Sequence, residues 1–380
     1  MKFRGTNKIK MKIKVTFLIL MFICVQKSVS QCDAVTVESV TNFTPFALDS
    51  IAESEGLRNG PNYNGANVFY PVNGNNSLKS IVLVPGYTAE QKSVMGWARY
   101  LASRGFVCMT IGTNSLTDFP SIRANALIDA METIRQENNR QTSPLYQKID
   151  TNNIAVGGWS MGGGGAQLAA KIDPRIKAVL AITPWLYENT LSASDLNHNV
   201  PVLIISGELD PTAPASRHAN VHYNYTPSAT HKLLFEISGA DHNIPLNPLT
   251  GNGDVGNLGY AWLKLFLEGT NCYCNMLSDA SLDQNETASK YFTNLSCASL
   301  SVANIKDRDL NIQIFPNLAR DEIAIKFSKQ QQLEYIMYNV YAQQIKFGKV
   351  SSGDKIRVEE LSVGMYFLRV GQKVFKFLKK

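Results

Sequence analysis

The sequence predicts an α/β fold with a mostly parallel central sheet flanked by helices, followed by a small C-terminal antiparallel β-sandwich. Three observations carry that reading. Between Ala66 and Glu268, short β-rich runs alternate with longer helical patterns, as parallel strands joined by helical crossovers require. From Ser80 onward those runs are almost continuously apolar, which suits strands covered on both faces. From about Ser299 the texture changes to short segments that alternate apolar and polar residues, the pattern of a sandwich whose outer faces meet water.

The chain of 380 residues opens with Lys2, Arg4, Lys8, Lys10, Lys12 and Lys14 before the apolar run Val15 to Val25, and small residues at Ser28-Val29-Ser30 follow. Residues 1–30 therefore read as a secretory signal peptide, with an apolar part too short for a permanent span. Strands are expected at Ala66–Pro71, Ser80–Val84, Phe106–Ile111, Ile154–Gly157, Ala178–Ile182, Val202–Ser206 and Lys232–Ile237. Helical periodicity falls at Ser93–Ser103, Ser121–Glu137, Gly163–Ile172, Ser216–Tyr225 and Asn257–Glu268. The Asn-, Ser- and Asp-rich stretch Asn275 to Ala298 reads as a linker. Beyond it lie Leu310–Phe315, Glu322–Phe327, Glu334–Tyr341, Gln343–Lys349, Lys355–Val358, Met365–Val370 and Lys373–Leu378, separated by turns such as Ser352-Gly353-Asp354. The expected domains are 31–298 and 299–380.

The net charge of +6 conceals an uneven distribution. Residues 1–30 and 301–380 hold 21 of the 37 Lys and Arg but 8 of the 31 Asp and Glu, so the body between them is acidic. An acidic body argues against nucleic acid as a partner. Of the six cysteines, Cys24 lies in the leader, and Cys108 lies in an apolar run where a buried free thiol is expected. Cys32, Cys272, Cys274 and Cys297 form an even set, which suggests two disulfides in an oxidising compartment. Sequence does not determine their connectivity; the pairing expected is Cys274–Cys297 with Cys32–Cys272. No metal site is expected, because the Cys272-Tyr-Cys274 and Cys297 spacing lacks a fourth ligand nearby.

The chemistry centres on Gly157-Gly158-Trp159-Ser160-Met161-Gly162, a G-x-S-x-G pentapeptide between a strand and a helix. A serine on that turn projects from the sheet, and the helix start offers the Met161 N–H to a developing oxyanion. A serine hydroxyl needs a base, and the base needs an orienting acid. Of the five histidines, His242 alone follows a strand at its carboxyl end, whereas His231 precedes its strand and His218 and His222 share a helix face expected at the surface. The loop after Val202–Ser206 offers Asp210, with Glu208 as the alternative acid; Asp241 points away from the neighbouring imidazole. A second oxyanion donor is expected from the Tyr87 N–H in Pro85-Gly86-Tyr87-Thr88, and the Tyr87 and Trp185 rings flank the Ser160 hydroxyl.

Pro85-Gly-Tyr-Thr88, Gly158-Trp-Ser-Met-Gly-Gly-Gly-Gly165, Pro184-Trp185 and Gly239-Ala-Asp-His242 together resemble the bacterial cutinase-type polyester hydrolases of the α/β-hydrolase superfamily, including those that cut poly(ethylene terephthalate). The resemblance runs from about Ala66 to Cys297. It implies a triad of Ser160, Asp210 and His242, oxyanion donors at Tyr87 and Met161, no cofactor, and an open aromatic cleft including Trp185. Thr212 stands where the family usually carries an isoleucine against the substrate, so that wall is smaller and more polar. Ser238 stands where calcium-binding relatives have a carboxylate, so no calcium ion is expected there.

The tail in turn resembles the C-terminal sorting domain that Bacteroidetes use for type IX secretion, through Ile314-Phe-Pro-Asn317, Tyr338-Asn-Val340, Gly364-Met-Tyr-Phe-Leu-Arg-Val370 and the basic ending Lys373 to Lys380. The resemblance implies the type IX machinery as a partner and export from the cell, with the product free or attached to the cell surface. The expected protein is a monomeric secreted serine esterase acting on short-chain and polymeric esters. A lipase would need a lid, and no long amphipathic insertion supplies one. A non-catalytic binding protein on the same scaffold would lack a member of the triad, and all three candidates are present.

Overall fold

Nine strands form one sheet in the computed structural model, which describes residues 35, 40–74, 77–187, 190–278, 287–297, 312–328, 332–340, 343–370 and 373–380. They are β1 (Leu48–Ala52), β2 (Ala66–Pro71), β3 (Leu78–Val84), β4 (Val107–Ile111), β5 (Ile149–Trp159), β6 (Val179–Ile182), β7 (Val202–Gly207), β8 (Lys232–Ile237) and β9 (Ala288–Thr293). Their order is β1-β2-β4-β3-β5-β6-β7-β8-β9, and the six from β4 to β8 run parallel. The antiparallel β1, β2 and β9 complete the two sides. The chain leaves β3 for β4 on one side and returns to β5 on the other. The crevice beyond the carboxyl ends of β3 and β5 is therefore a topological switch point, where sheets of this kind bind ligands.

The apolar strands divide their side chains between two cores with the period of two that a pleated strand imposes. Val82, Val84, Val156, Val202 and Ile204 enter one core, under helices α2 (Pro120–Asn139), α3 (Met161–Ile172) and α4 (Ala219–Tyr225). Ile81, Leu83, Ala155, Leu203 and Ile205 enter the other, beneath α1 (Met95–Ala102), α5 (Asp254–Glu268) and α6 (Cys272–Ser278). Helix α2 begins with Pro120 at its first position, where a missing N–H costs nothing, and buries Ala124, Leu127, Ala130, Met131 and Ile134 along one stripe. Helix α5 stops at Gly269, whose φ of 66° is left-handed.

Two expectations are corrected, and one strand is added. The segment expected to be a linker contains the end of α6 and the edge strand β9, held by Lys290 to Glu236 at 2.9 Å and by the Cys274–Cys297 disulfide. The single buried position of β9, Tyr291, leaves too weak an alternation to read as a strand. Strand β1 is an addition whose sequence carries no strand signal, for the same reason: Ile51 is its one buried side chain. His218 and His222 are fully buried, not surface residues. Cys272 is disulfide-bonded and Cys108 is a buried free thiol, while Cys32 and the leader lie outside the described residues.

The tail forms two sheets. Strands β10 (Gln313–Phe315), β12 (Glu322–Lys326) and β15 (Lys355–Arg357) make one. Strands β11 (Leu318–Ala319), β17 (Lys373–Lys379), β16 (Gly364–Val370), β13 (Leu333–Tyr338) and β14 (Gln344–Val350) make the other, in that order. Ile314, Ile323, Ile325 and Ile356 of the first share a core with Met337, Leu368, Val370 and Phe377 of the second. All pairs are antiparallel except the two-residue β11, which lies parallel to β17.

Buried histidines make the fold sensitive to acid. Burial pulls His222 down to about 3, with His218 contributing, and pulls His198 down to about 4. Both folded values lie below the unfolded one, so the unfolded chain binds more protons as pH falls from about 6.5. Each histidine then removes about 1.4 kcal/mol of stability per pH unit until its folded value is reached. Denaturant melts should show about 4 kcal/mol less stability at pH 5 than at pH 7 from the two together. His222→Gln, which keeps a polar partner for Gln167, should remove its share; an unchanged slope would contradict the assignment.

Candidate active site

Strand β5 ends at Trp159, helix α3 begins at Met161, and Ser160 between them has φ 56° and ψ −120°. A residue with a Cβ is strained there, and the surroundings hold it. Its N–H donates to Ile182 O at 2.8 Å, and its carbonyl accepts from Trp185 N–H at 2.9 Å and Gly164 N–H at 3.1 Å. The turn leaves no space for side chains on either side. A Cβ on Gly158 would lie 2.5 Å from the Gly162 carbonyl carbon, and one on Gly162 would lie 2.3 Å from Val84 O. The glycines of the pentapeptide are thus required by backbone contact.

Two further loops converge from β7 and β8. His242 Nδ1 lies 2.6 Å from Asp210 Oδ2, and both side chains are buried. The other carboxylate oxygen accepts the N–H groups of Thr212 and Ala213, each at 2.8 Å. Burial opposes ionisation of Asp210, but the His242 hydrogen bond and these two N–H groups outweigh it and hold the carboxyl below the usual range. An ionised carboxylate can only accept, so Nδ1 carries the proton and Nε2 keeps its lone pair. The two loops are joined directly: Leu209 N–H donates to Ala240 O at 2.9 Å, and a Cβ on Gly207 would lie 2.5 Å from that same oxygen.

The alternative carboxylates are occupied elsewhere. Glu208 accepts from Gly239 N–H at 2.9 Å and faces the Ser238 hydroxyl at 3.4 Å. Asp241 accepts the N–H groups of Asn243 and Ile244 at 2.8 and 3.1 Å, closing its own loop. Among the described residues, no group of three His, Cys, Asp or Glu side chains could hold a metal ion.

Sequence reasoning did not single out Trp159, which links the serine turn to the histidine loop. Its indole N–H donates to His242 O at 3.0 Å, and its ring lies 5.2 Å from the imidazole, centroid to centroid. The Thr183 hydroxyl donates to the same carbonyl at 3.4 Å. Its place beside the serine is visible in the motif, but its partner, 83 residues away in sequence, is not.

Tyr87 follows β3 and Trp185 follows β6, both beyond carboxyl ends of the sheet. Trp185 is half-buried and stacks on buried His218 at 6.0 Å and 30°. Tyr87 is 49% exposed, and Leu116, Phe119 and Ile122 are also exposed apolar residues around the start of α2. Thr212 is exposed at the rim of the acid loop. The arrangement joins a serine on a strained turn, an imidazole oriented by a buried carboxylate, and the N-terminus of an α-helix. Such a set can activate a hydroxyl and stabilise an oxyanion.

Residues 30–297 match the family described as PET hydrolase-like, and residues 313–380 match the secretion system C-terminal sorting domain. The chain is similar to Cutinase 2 of Thermobifida cellulosilytica, with 35% identity over 235 residues, 62% of this chain and 86% of that protein. It is similar to Cutinase cut1 of Thermobifida fusca at 35% over 235 residues, 62% of this chain and 70% of the relative. A bis(hydroxyethyl) terephthalate hydrolase of Streptomyces coelicolor is 32% identical over 212 residues, 56% of this chain and 64% of its own.

Proposed function

Because the chain belongs to the PET hydrolase-like family and ends in a secretion-system sorting domain, we propose that it is an exported serine carboxylic-ester hydrolase acting on short-chain esters and on aromatic polyesters. The observation that carries the reading is the 2.6 Å contact between His242 and Asp210 at the strand ends that also present Ser160. In this reading residues 31–298 form the catalytic domain, 1–30 the leader removed on export, and 299–380 the sorting domain read by the type IX machinery.

His242 Nε2 takes the Ser160 hydroxyl proton as Oγ bonds to the ester carbonyl carbon. The carbonyl oxygen becomes an oxyanion held by the Tyr87 and Met161 N–H groups. Collapse breaks the bond to the leaving alcohol, which takes the proton from His242 and leaves an acyl group on Ser160. Water then adds to the acyl carbon, losing its proton to His242, and the second collapse returns that proton to Ser160 as the acid departs. Asp210 keeps its charge throughout and stabilises the imidazolium.

The polymeric substrate class is supported by the exposed apolar Tyr87, Leu116 and Phe119 and by the Trp185 wall, which suit an extended aromatic chain. Thr212, small and polar, grips such a chain less than a branched apolar residue would. The test is release of products from a p-nitrophenyl ester and from an amorphous terephthalate polyester film. Release from both is expected. Activity on the soluble ester alone would leave an esterase for small substrates and remove the polyester from the reading.

A further inference from the structure

We propose that Arg123 is the positioning residue of the oxyanion-binding loop, fixing the backbone on both sides of Tyr87. The inference rests on the proposed role of the Tyr87 N–H. Arg123 lies in the first turns of α2 and is completely buried. Burial pulls its pKa down to about 10, which still leaves it charged at working pH. Its guanidinium meets three backbone carbonyls: Nε donates to Asp118 O at 2.9 Å, Nη1 to Pro85 O at 2.9 Å, and Nη2 to Leu116 O at 3.0 Å.

A buried cation is costly to keep, and an apolar side chain would fill the same volume more cheaply. What the guanidinium supplies instead is a rigid planar fork that sets three acceptors relative to one another. Two of the three bear on Tyr87. Pro85, two residues before it, is held directly. Thr88, the residue after it, donates its N–H at 2.8 Å to Leu116 O, the carbonyl that Arg123 also holds.

The loop requires such a restraint. Thr88 is β-branched yet has φ 56°, and its hydroxyl donates to Tyr87 O at 2.7 Å. A Cβ on Gly86 would lie 2.8 Å from Ser160 Cβ, so the loop packs directly on the serine and any displacement shifts the Tyr87 N–H relative to it. Donors to an oxyanion work over a few tenths of an ångström, and loss of one costs about 10²–10³ in turnover. Loosening it should cost less than removing it.

The test uses the full chain with Arg123→Met and Arg123→Lys on a p-nitrophenyl butyrate substrate. A fluorophosphonate titration counts reactive serines, so that kcat refers to competent sites. For Arg123→Met, which fills the site without donors, kcat should fall about 10- to 100-fold with KM within about twofold. Arg123→Lys, which keeps the charge without the fork, should fall less. If the methionine variant does not fold, the lysine variant is read by the same criteria. An unchanged kcat per titrated site, with only a lower Tm, would overturn the proposal and leave Arg123 a packing residue. Absence of serine labelling in the unmodified protein would overturn it too, but by removing the Ser160 reading on which it rests.

Discussion

Ser160→Ala should lower kcat on a soluble ester by about 10⁵- to 10⁶-fold, the scale on which loss of a serine nucleophile is felt. At about 1.4 kcal/mol per decade this is roughly 7–8 kcal/mol of transition-state stabilisation. Alanine retains the Cβ that packs beneath Gly86, and the backbone bonds of residue 160 to Ile182, Trp185 and Gly164 do not involve the hydroxyl. The turn should therefore persist, with Tm changed by a few degrees at most and KM little altered. The residual rate would come from the N–H groups proposed to bind the oxyanion. Turnover above about one per cent of the original would exclude Ser160 as the nucleophile.

Asp210→Asn should cost about 10⁴-fold in kcat while leaving the loop in place. An asparagine oxygen can still accept the Thr212 and Ala213 N–H groups, which now approach Asp210 at 2.8 Å. Its amide nitrogen would then face His242 Nδ1 and donate to it, moving the ring proton to Nε2 and leaving no lone pair for the serine. Glu208→Gln supplies the contrast. Its carboxylate holds Gly239 N–H on an exposed loop, and an amide oxygen can do the same, so kcat should stay within about threefold. The reverse ranking in steady-state kinetics would exchange the roles of the two acids.

The parallel core of the fold was legible because β3 to β8 are buried on both faces, and burial on both faces writes itself as apolar runs. Strands β1 and β9 were not legible, since each buries one side chain; β1 is held by pairing with β2, and β9 by pairing with β8 and the Lys290–Glu236 contact. The three elements of the candidate site were legible for a topological reason: Ser160, Asp210 and His242 each follow a strand in a segment short enough to place. The supporting residues were not. Arg123 and Trp159 act on backbone carbonyls distant in sequence, Pro85 and His242 respectively, and no local pattern marks such a partner. His218 and His222 read as an exposed pair because a polar side chain at helical spacing does not reveal what covers it. In the fold, one stacks on Trp185 and the other lies 2.7 Å from the Gln167 amide nitrogen.

The neutral histidines in the core tie the lifetime of the catalyst to its own product. On the proposed reading every bond cut in a polyester leaves a carboxylic acid, and the water layer against a solid film is thin and slow to exchange. As that layer acidifies, His198 and His222 favour the unfolded chain, with folded values of about 4 and about 3. Acid accumulation thus narrows the free-energy margin that keeps the chain folded. On an unbuffered surface, each bond cut would therefore leave the protein with a smaller reserve of stability than the one before.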